Sequence, residues 1–216
     1  MIRSSIVFVC IFLISTTVFA DPTASLPDIH VGDVWEYQIS DEFTKEVSRS
    51  PIRKIVSITD DEIVAQVSWK GKPQASRILF FFTKEMNFKD NGTQKYEPYF
   101  PEFKFPLNVG DSWSKDYTNI YTNGDATKSF LKAKVAAYEK VQTPAGEFEA
   151  YRIECKIDTI GLGENARTFY DTHIVWYAPK VNGFIKREVI SSWEGRIRRK
   201  ELTELMAYRP IKSDSQ

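Results

Sequence analysis

In "DEIVAQVSW", Ile63, Ala65, Val67 and Trp69 fall on every second position while Glu62, Gln66 and Ser68 take the other face. The same period returns where Tyr151, Ile153, Cys155 and Ile157 alternate with Arg152, Glu154, Lys156 and Asp158. A side-chain period of two belongs to a half-buried β-strand, because successive side chains point to opposite faces of a sheet. Helical periodicity is poor throughout; "KELTELMAY" from Lys200 fits either period. Turn chemistry separates the alternating runs: "TDDE" from Thr59, "TPAGE" from Thr143, "GLGEN" from Gly161 and "VNGF" from Val181. Pro144 presets φ early in its turn and Gly146 accepts a positive φ. The expected fold class is all-β and mainly antiparallel.

Three stretches recur in order. "VGDVW" from Val31 returns as "VGDSW" from Val109, "DEIVAQV" from Asp61 resembles "GEFEAYR" from Gly146, and "RILFFFTK" from Arg77 resembles "HIVWYAPK" from His173. Ordered matches whose spacing grows along the chain read as one β unit present twice, with insertions in the second copy. The expected organisation is a signal peptide over 1–20, a first unit over 21–95, a connector over 96–107, a second unit over 108–208 and a tail over 209–216, the units being similar curved sheets or half-barrels in tandem. The connector, "YEPYFPEFKFPL", carries Pro98, Pro101 and Pro106, which keep it extended and out of a central strand. Its alternating aromatics are expected to lie against a core. In each VGD-x-W copy the Gly-Asp pair supplies a turn and the tryptophan opens a strand, so Gly32, Asp33, Trp35, Gly110, Asp111 and Trp113 are read as structural.

The first residues place Arg3 before an apolar run from Ile6 to Ile14 and end on Val18-Phe19-Ala20. This is the pattern of a secretory leader cleaved after Ala20. Cys10 lies inside the apolar run, at the wrong place for lipid attachment. No later run reaches the roughly 18 apolar residues of a spanning helix. Without the leader one cysteine remains, Cys155, which excludes an internal disulfide and favours a bacterial periplasmic or secreted protein. Lysines plus arginines and aspartates plus glutamates number 29 each. That balance gives no basic face for nucleic acid.

The second half also carries "FPLNVGDSW", "VQTPAGEFEAYRIEC" and "IVWYAPKVNGFIKRE". These resemble a recurrent pattern of bacterial exported proteins and lipoproteins: Pro-Leu-x-Val-Gly-x-x-Trp, Val-x-x-Pro-Ala-Gly-x-Phe-x-Ala, and Trp-Tyr-x-Pro-x-Val-Gly followed by Lys-x-Glu. The pattern is similar to a family of envelope domains of unknown function, distantly like the periplasmic domains called DUF3108. The resemblance implies an antiparallel β structure in the envelope and brings no activity or catalytic residue. This chain departs from it at Asn182, which lengthens a turn, and in lacking a lipobox.

The obvious nucleophile grouping is Cys155, His173 and Asp171. A hairpin closed symmetrically about Gly163 sets Cys155 opposite Asp171 and Ile153 opposite His173, all on one side. A register shifted by one residue instead groups Tyr151, Ile153, Cys155 and Ile157 with Trp176, Ile174, Thr172 and Tyr170, turning His173 and Asp171 outward. Burying an unpaired polar group costs about 1–3 kcal/mol, so the shifted register is expected and Cys155 is read as a small buried hydrophobe. His30 and His173 are the only histidines and lack metal-ligand spacing. Neither a nucleophile elbow nor a P-loop or dinucleotide fingerprint occurs. No catalytic residue, metal or cofactor is therefore expected.

Aromatic content is high, with 15 Phe, 10 Tyr and 5 Trp, and "ILFFF" from Ile78 and "IVWYA" from Ile174 are apolar on both faces. Such strands line either a filled core or a curved sheet that keeps an apolar cavity. The expected function is that of a non-enzymatic exported protein binding an apolar small molecule or another envelope protein, with Trp69, Phe80, Tyr170 and Trp176 as ligand contacts. The alternatives are a periplasmic enzyme with a cleft between the units and an assembly subunit pairing through a free strand edge. The basic run Arg196 to Lys200 is suited to touching anionic lipid headgroups or to blunting such an edge, and the blunted edge is the expected role.

Overall fold

The computed structural model describes residues 22–72, 77–162 and 167–211. The expected leader, the centre of the turn at Gly161 and the end of the expected tail lie outside the described residues. Thirteen strands follow in order: β1 (Val34–Asp41), β2 (Val47–Arg49), β3 (Pro51–Ile58), β4 (Ile63–Trp69), β5 (Ile78–Phe82), β6 (Phe88–Asp90), β7 (Gln94–Glu97), β8 (Ser112–Tyr121), β9 (Ala126–Thr143), β10 (Gly146–Gly161), β11 (Thr168–Ala178), β12 (Gly183–Trp193) and β13 (Arg196–Arg209). Among the described residues the one helical element is a 3-10 turn at Pro179–Val181. The protein is all-β and antiparallel.

From β3 onward each strand pairs with the next, and β13 returns to β1, with Val34 opposite Arg209 and Asp41 opposite Glu201. Strands β2 and β3 lie end to end against β1 as one interrupted strand, so the wall is a closed barrel of 12 strands. The expectation of a free edge blunted by Arg196–Lys200 is corrected: β13 is hydrogen-bonded to β12 on one side and β1 on the other. Closure uses up both terminal edges, and with them the edge on which strand-to-strand assembly would depend.

Period two holds around the wall. On β9 and β10 Leu131, Val135, Ile153 and Ile157 are buried inside, while Lys128, Lys132, Lys134, Glu149, Lys156 and Asp158 are exposed outside. A charged outer face is the reverse of the lipid-facing apolar band of a membrane barrel. Trp35, Ile55 and Phe82 from the first half and Leu131, Ile153 and Leu205 from the second belong to one buried cluster. Both halves thus contribute to one interior, and a concave feature of it is the mouth of the barrel.

The two VGD-x-W stretches fold alike. Gly32 and Gly110 have φ of +104° and +95°, which glycine alone adopts at no steric cost. Asp33 N donates to His30 O and Asp111 N to Asn108 O, each at 3.1 Å. Gly32 N and Gly110 N reach Ile55 O and Val135 O on the neighbouring strand, each at 2.9 Å. The tryptophans then diverge. Trp35 is fully buried and donates from Nε1 to Val181 O (2.8 Å), whereas Trp113 is half-buried and donates to Pro101 O (2.9 Å). These turns, with Pro179–Val181, mark the base of the barrel. The Glu42–Glu46, Thr122–Asp125 and Glu194–Gly195 turns mark its mouth.

An eight-stranded barrel is roughly filled by its own side chains. Twelve strands leave a lumen, and the connector enters it. Asn87, fully buried, donates from Nδ2 to Phe103 O (2.8 Å) and accepts Phe103 N at Oδ1 (2.7 Å). Leu107 exchanges backbone bonds with Ala24 (3.0 and 2.9 Å), and Phe103 packs on Tyr177 with ring centres 5.7 Å apart. Phe100, Phe103 and Leu107 thus fill the base, and the mouth side stays hollow.

Candidate functional site

The hollow part is a cavity of about 760 Å³ lined by residues from every strand of the wall except β9. Its floor is the connector. Its two sides differ in chemistry.

One side is aromatic. Phe80, Phe88, Tyr96, Phe100 and Tyr117 all line the cavity, and their rings form an unbroken series. Ring centres lie 5.7 Å apart for Phe80 and Phe88, 6.3 Å for Phe88 and Tyr96, 5.7 Å for Tyr96 and Phe100, and 5.6 Å for Phe100 and Tyr117. These are the offset and edge-on distances at which rings attract. Trp69 joins them at the end of β4. Burial pushes the Tyr96 hydroxyl up to about 12, so it stays neutral and acts as acceptor for Asn91 and Gln94.

The other side, from β11 to β13, is charged. Asp171 and His173 of β11, Arg187 and Ser191 of β12, and Arg199 and Glu201 of β13 face the lumen. At the rim Glu201 sits between Arg49 (3.3 Å) and Arg199 (2.6 Å). At the floor Glu102, 1 % exposed, pairs with Arg187 and lies 3.8 Å from His173 Nδ1. Burial alone would raise the Glu102 carboxyl; Arg187, and then His173, more than offset it and hold it below its ordinary value. Behind this group Arg53 is enclosed by Trp35, Tyr37, Phe82 and Phe184, its guanidinium 4.7–5.8 Å from their ring centres. Burial pulls Arg53 below its ordinary value, while the Tyr37 hydroxyl and Glu102 favour its charge. The Arg187 Nε and His173 Nδ1 atoms are buried with no hydrogen-bond partner among the described residues. Asp171 has no ion-pair partner among the described residues.

Trp69 and Phe80 line the cavity, whereas Tyr170 and Trp176 do not. Tyr170 is exposed on the outer wall. Trp176 is turned away from the lumen too but is buried (8 % exposed), its ring beneath the Lys186 ammonium (4.8 Å) and its Nε1 donating to Glu139 (2.8 Å). The reason is the register, which corrects the expected one: Cys155 stands opposite His173, Ile153 opposite Val175 and Ile157 opposite Asp171. His173 and Asp171 therefore point inward and Trp176, Ile174, Thr172 and Tyr170 outward. Matching apolar faces would be right for a dry interior. Here His173 meets Glu102 and the Phe100 ring (5.6 Å), and Asp171 faces open volume.

The inward Cys155, His173 and Asp171 do not form an activated thiol. Cys155 is fully buried, and burial, followed by the nearby Glu102 charge, pushes its thiol well above the usual range. A thiol of this kind is unreactive. The native protein without residues 1–20 is expected to resist an aromatic disulfide reagent and to react once with it, at Cys155, after denaturation; rapid native labelling would contradict the placement. Among the described residues no three of His, Cys, Asp and Glu converge as a metal site would require.

Sequence reasoning passed over Glu102, Arg187 and Arg53. Two carried a signal, since Arg53 is in phase with inward Ile55, and Arg187 with inward Ile185 and Val189. A charge on the apolar phase of a strand marks an interior that is not wholly apolar.

The fold and lumen define a class of closed β-barrels with one hollow end. Two solved structures share this fold. A candidate lipoprotein from Parabacteroides distasonis aligns with a TM-score of 0.55 at 16% identity, covering 88% of this chain and 100% of the other. A candidate exported protein from Bacteroides fragilis, described as having a YmcC-like fold, aligns with a TM-score of 0.54 at 14% identity, over 87% of this chain and 100% of the other. No family model and no curated protein matches the chain.

Proposed function

We propose that this protein is a non-enzymatic binding protein of the bacterial envelope, holding one amphipathic small molecule in the mouth of its barrel. The observation that carries the reading is the two-sided lumen, with a continuous series of rings facing a charged wall above a packed base. The volume falls within the range of small-molecule sites. Rings take the flat or apolar body of a ligand, and Asp171, Ser191, His173 and Arg187 offer both donors and acceptors to its polar end. The expected apolar ligand is refined to an amphipathic one. The inert setting of Cys155 supports binding over thiol chemistry. The leader expected over 1–20, the descriptions of the two structural neighbours and the DUF3108-like pattern of the second half support the envelope location.

The test is uptake of the neutral dye N-phenyl-1-naphthylamine by mature protein, with native mass spectrometry for stoichiometry. One dye per chain is expected, with enhanced fluorescence. Ser191→Trp fills the lumen without removing a core contact and is expected to weaken uptake about tenfold or more, equivalent to about 1.4 kcal/mol. No uptake by the wild type, or undiminished uptake by a folded Ser191→Trp, would overturn the reading.

A further inference from the structure

The mouth of the barrel has a second property, on its outside. Phe43 at the β1–β2 turn, Ile160 and Tyr170 on the outer face of β10 and β11, and Ile197 at the start of β13 are exposed by 59, 52, 54 and 54 %. They lie along one continuous sector of the rim. Strands β10 to β13 and β1 are consecutive neighbours in the wall, and Glu42 N donates to Lys200 O (2.8 Å), joining the β1–β2 turn to β13. Cations separate these side chains. From Glu194 to Lys200 four basic residues stand against one acid. Arg167 and Arg198 both lie over the Trp193 ring (4.6 and 5.2 Å), which holds their charges at the rim. Among nearby acids, Glu42 is paired with Lys45 and Glu201 with Arg49 and Arg199; Asp41, Glu46, Asp158, Asp171 and Glu194 have no ion pair among the described residues, and Asp171 points into the lumen.

Edge protection cannot account for the basic run, because β13 has no free edge. We infer that this sector of the mouth docks on an anionic lipid surface, with Phe43, Ile160, Tyr170 and Ile197 entering the headgroup layer and Arg167, Arg196, Arg198 and Lys200 meeting lipid phosphates. Interfacial binding requires this combination of single apolar side chains among cations. A protein partner would call for a contiguous apolar centre that becomes fully desolvated, whereas here the apolar groups are spaced around a rim. The geometry also gives docking a use, resting on the ligand-binding reading: the hollow end faces the bilayer, so an amphipathic molecule passes between lipid and lumen without crossing water.

The test is co-sedimentation of mature protein with phosphatidylcholine vesicles made with and without phosphatidylglycerol, at low and high salt, alongside dye uptake. Partitioning onto the anionic vesicles, weakened by salt, is expected. The double variant Arg196→Glu, Arg198→Glu should reduce it about tenfold or more, and Phe43→Asp with Ile197→Asp should do likewise, all retaining dye uptake. Lys140→Glu, at the base, should change nothing. Absence of partitioning, equal binding to neutral vesicles, or full binding by the rim variants would overturn the docking surface. If dye uptake persists in that case, the lumen reading stands; if the wild type partitions but takes up no dye, docking stands and the lumen reading fails.

Discussion

Glu102→Gln is expected to destabilise the protein by about 3–5 kcal/mol, the cost of breaking a buried ion pair from one side. The carboxylate is 1 % exposed and faces Arg187, whose Nε has no hydrogen-bond partner among the described residues, and it favours the charge on buried Arg53. Removing one negative charge leaves buried Arg53 and half-buried, lumen-lining Arg187 facing each other's field. Equilibrium urea denaturation measures the loss. Adding Arg187→Met should recover part of it, with a coupling of about 1–3 kcal/mol. The pH dependence has a definite sign. Burial works to raise the Glu102 carboxyl, and Arg187 with His173 brings it below the ordinary 4.5. On acidification the unfolded chain takes up the proton first, so the contribution is complete above about 4.5 and is lost as pH falls towards the folded value. The gap between wild type and Glu102→Gln should therefore narrow in acid; a gap constant from neutral pH to well below 4.5 would show that Glu102 is not held as a carboxylate.

Trp35→Ala is the second large effect, about 3–5 kcal/mol, or a drop in melting temperature of about 10 °C for a barrel of this size. Trp35 joins three parts of the chain: Val181 O accepts its Nε1 proton, Arg53 lies 4.7 Å from its ring centre, and Tyr208 of β13 lies 5.2 Å away. A Cβ at Gly183 would come within 3.2 Å of Trp35 Nε1, a measure of how closely the ring is enclosed. Truncation leaves a cavity and an unpaired carbonyl. Trp35→Phe keeps most of the volume and should cost about 1 kcal/mol for the hydrogen bond. Trp113→Ala, at the half-buried counterpart, should cost less than Trp35→Ala. A loss below about 1 kcal/mol for Trp35→Ala would remove this residue as the anchor of the β1–β13 closure.

Local features were legible. The alternation of Ile63, Ala65, Val67 and Trp69 is the inward face of β4, and "TPAGE" is the turn between β9 and β10, with Gly146 at φ +129°. The alternating aromatics of the connector do lie against a core. What sequence reasoning missed depended on partners far along the chain. The β10–β11 register turned on whether the space beneath β11 is dry, and that is decided by Glu102 arriving from the connector. The β13–β1 pairing joins strands at opposite ends of the chain, and no local pattern encodes such a contact. Asn182 read only as an extra turn residue; it adopts φ 50° and its side-chain amide bonds both Asp28 N and Asp28 O, tying the segment before β1 across the base.

The pairing of the first strand with the last also sets when this protein can finish folding. Hairpins from β3 to β13 form between chain neighbours, but Val34 meets Arg209 only once Arg209 exists. Contacts of that separation bear the full loop-closure entropy and form slowly. During synthesis, or passage across a membrane as an extended chain, the partly formed sheet stays an open ribbon with two unsatisfied edges. Completion of the wall therefore reports that β13 has arrived, and a chain cut short before β13 is an adhesive sheet, exposed to chaperones and proteases in a way the finished barrel is not.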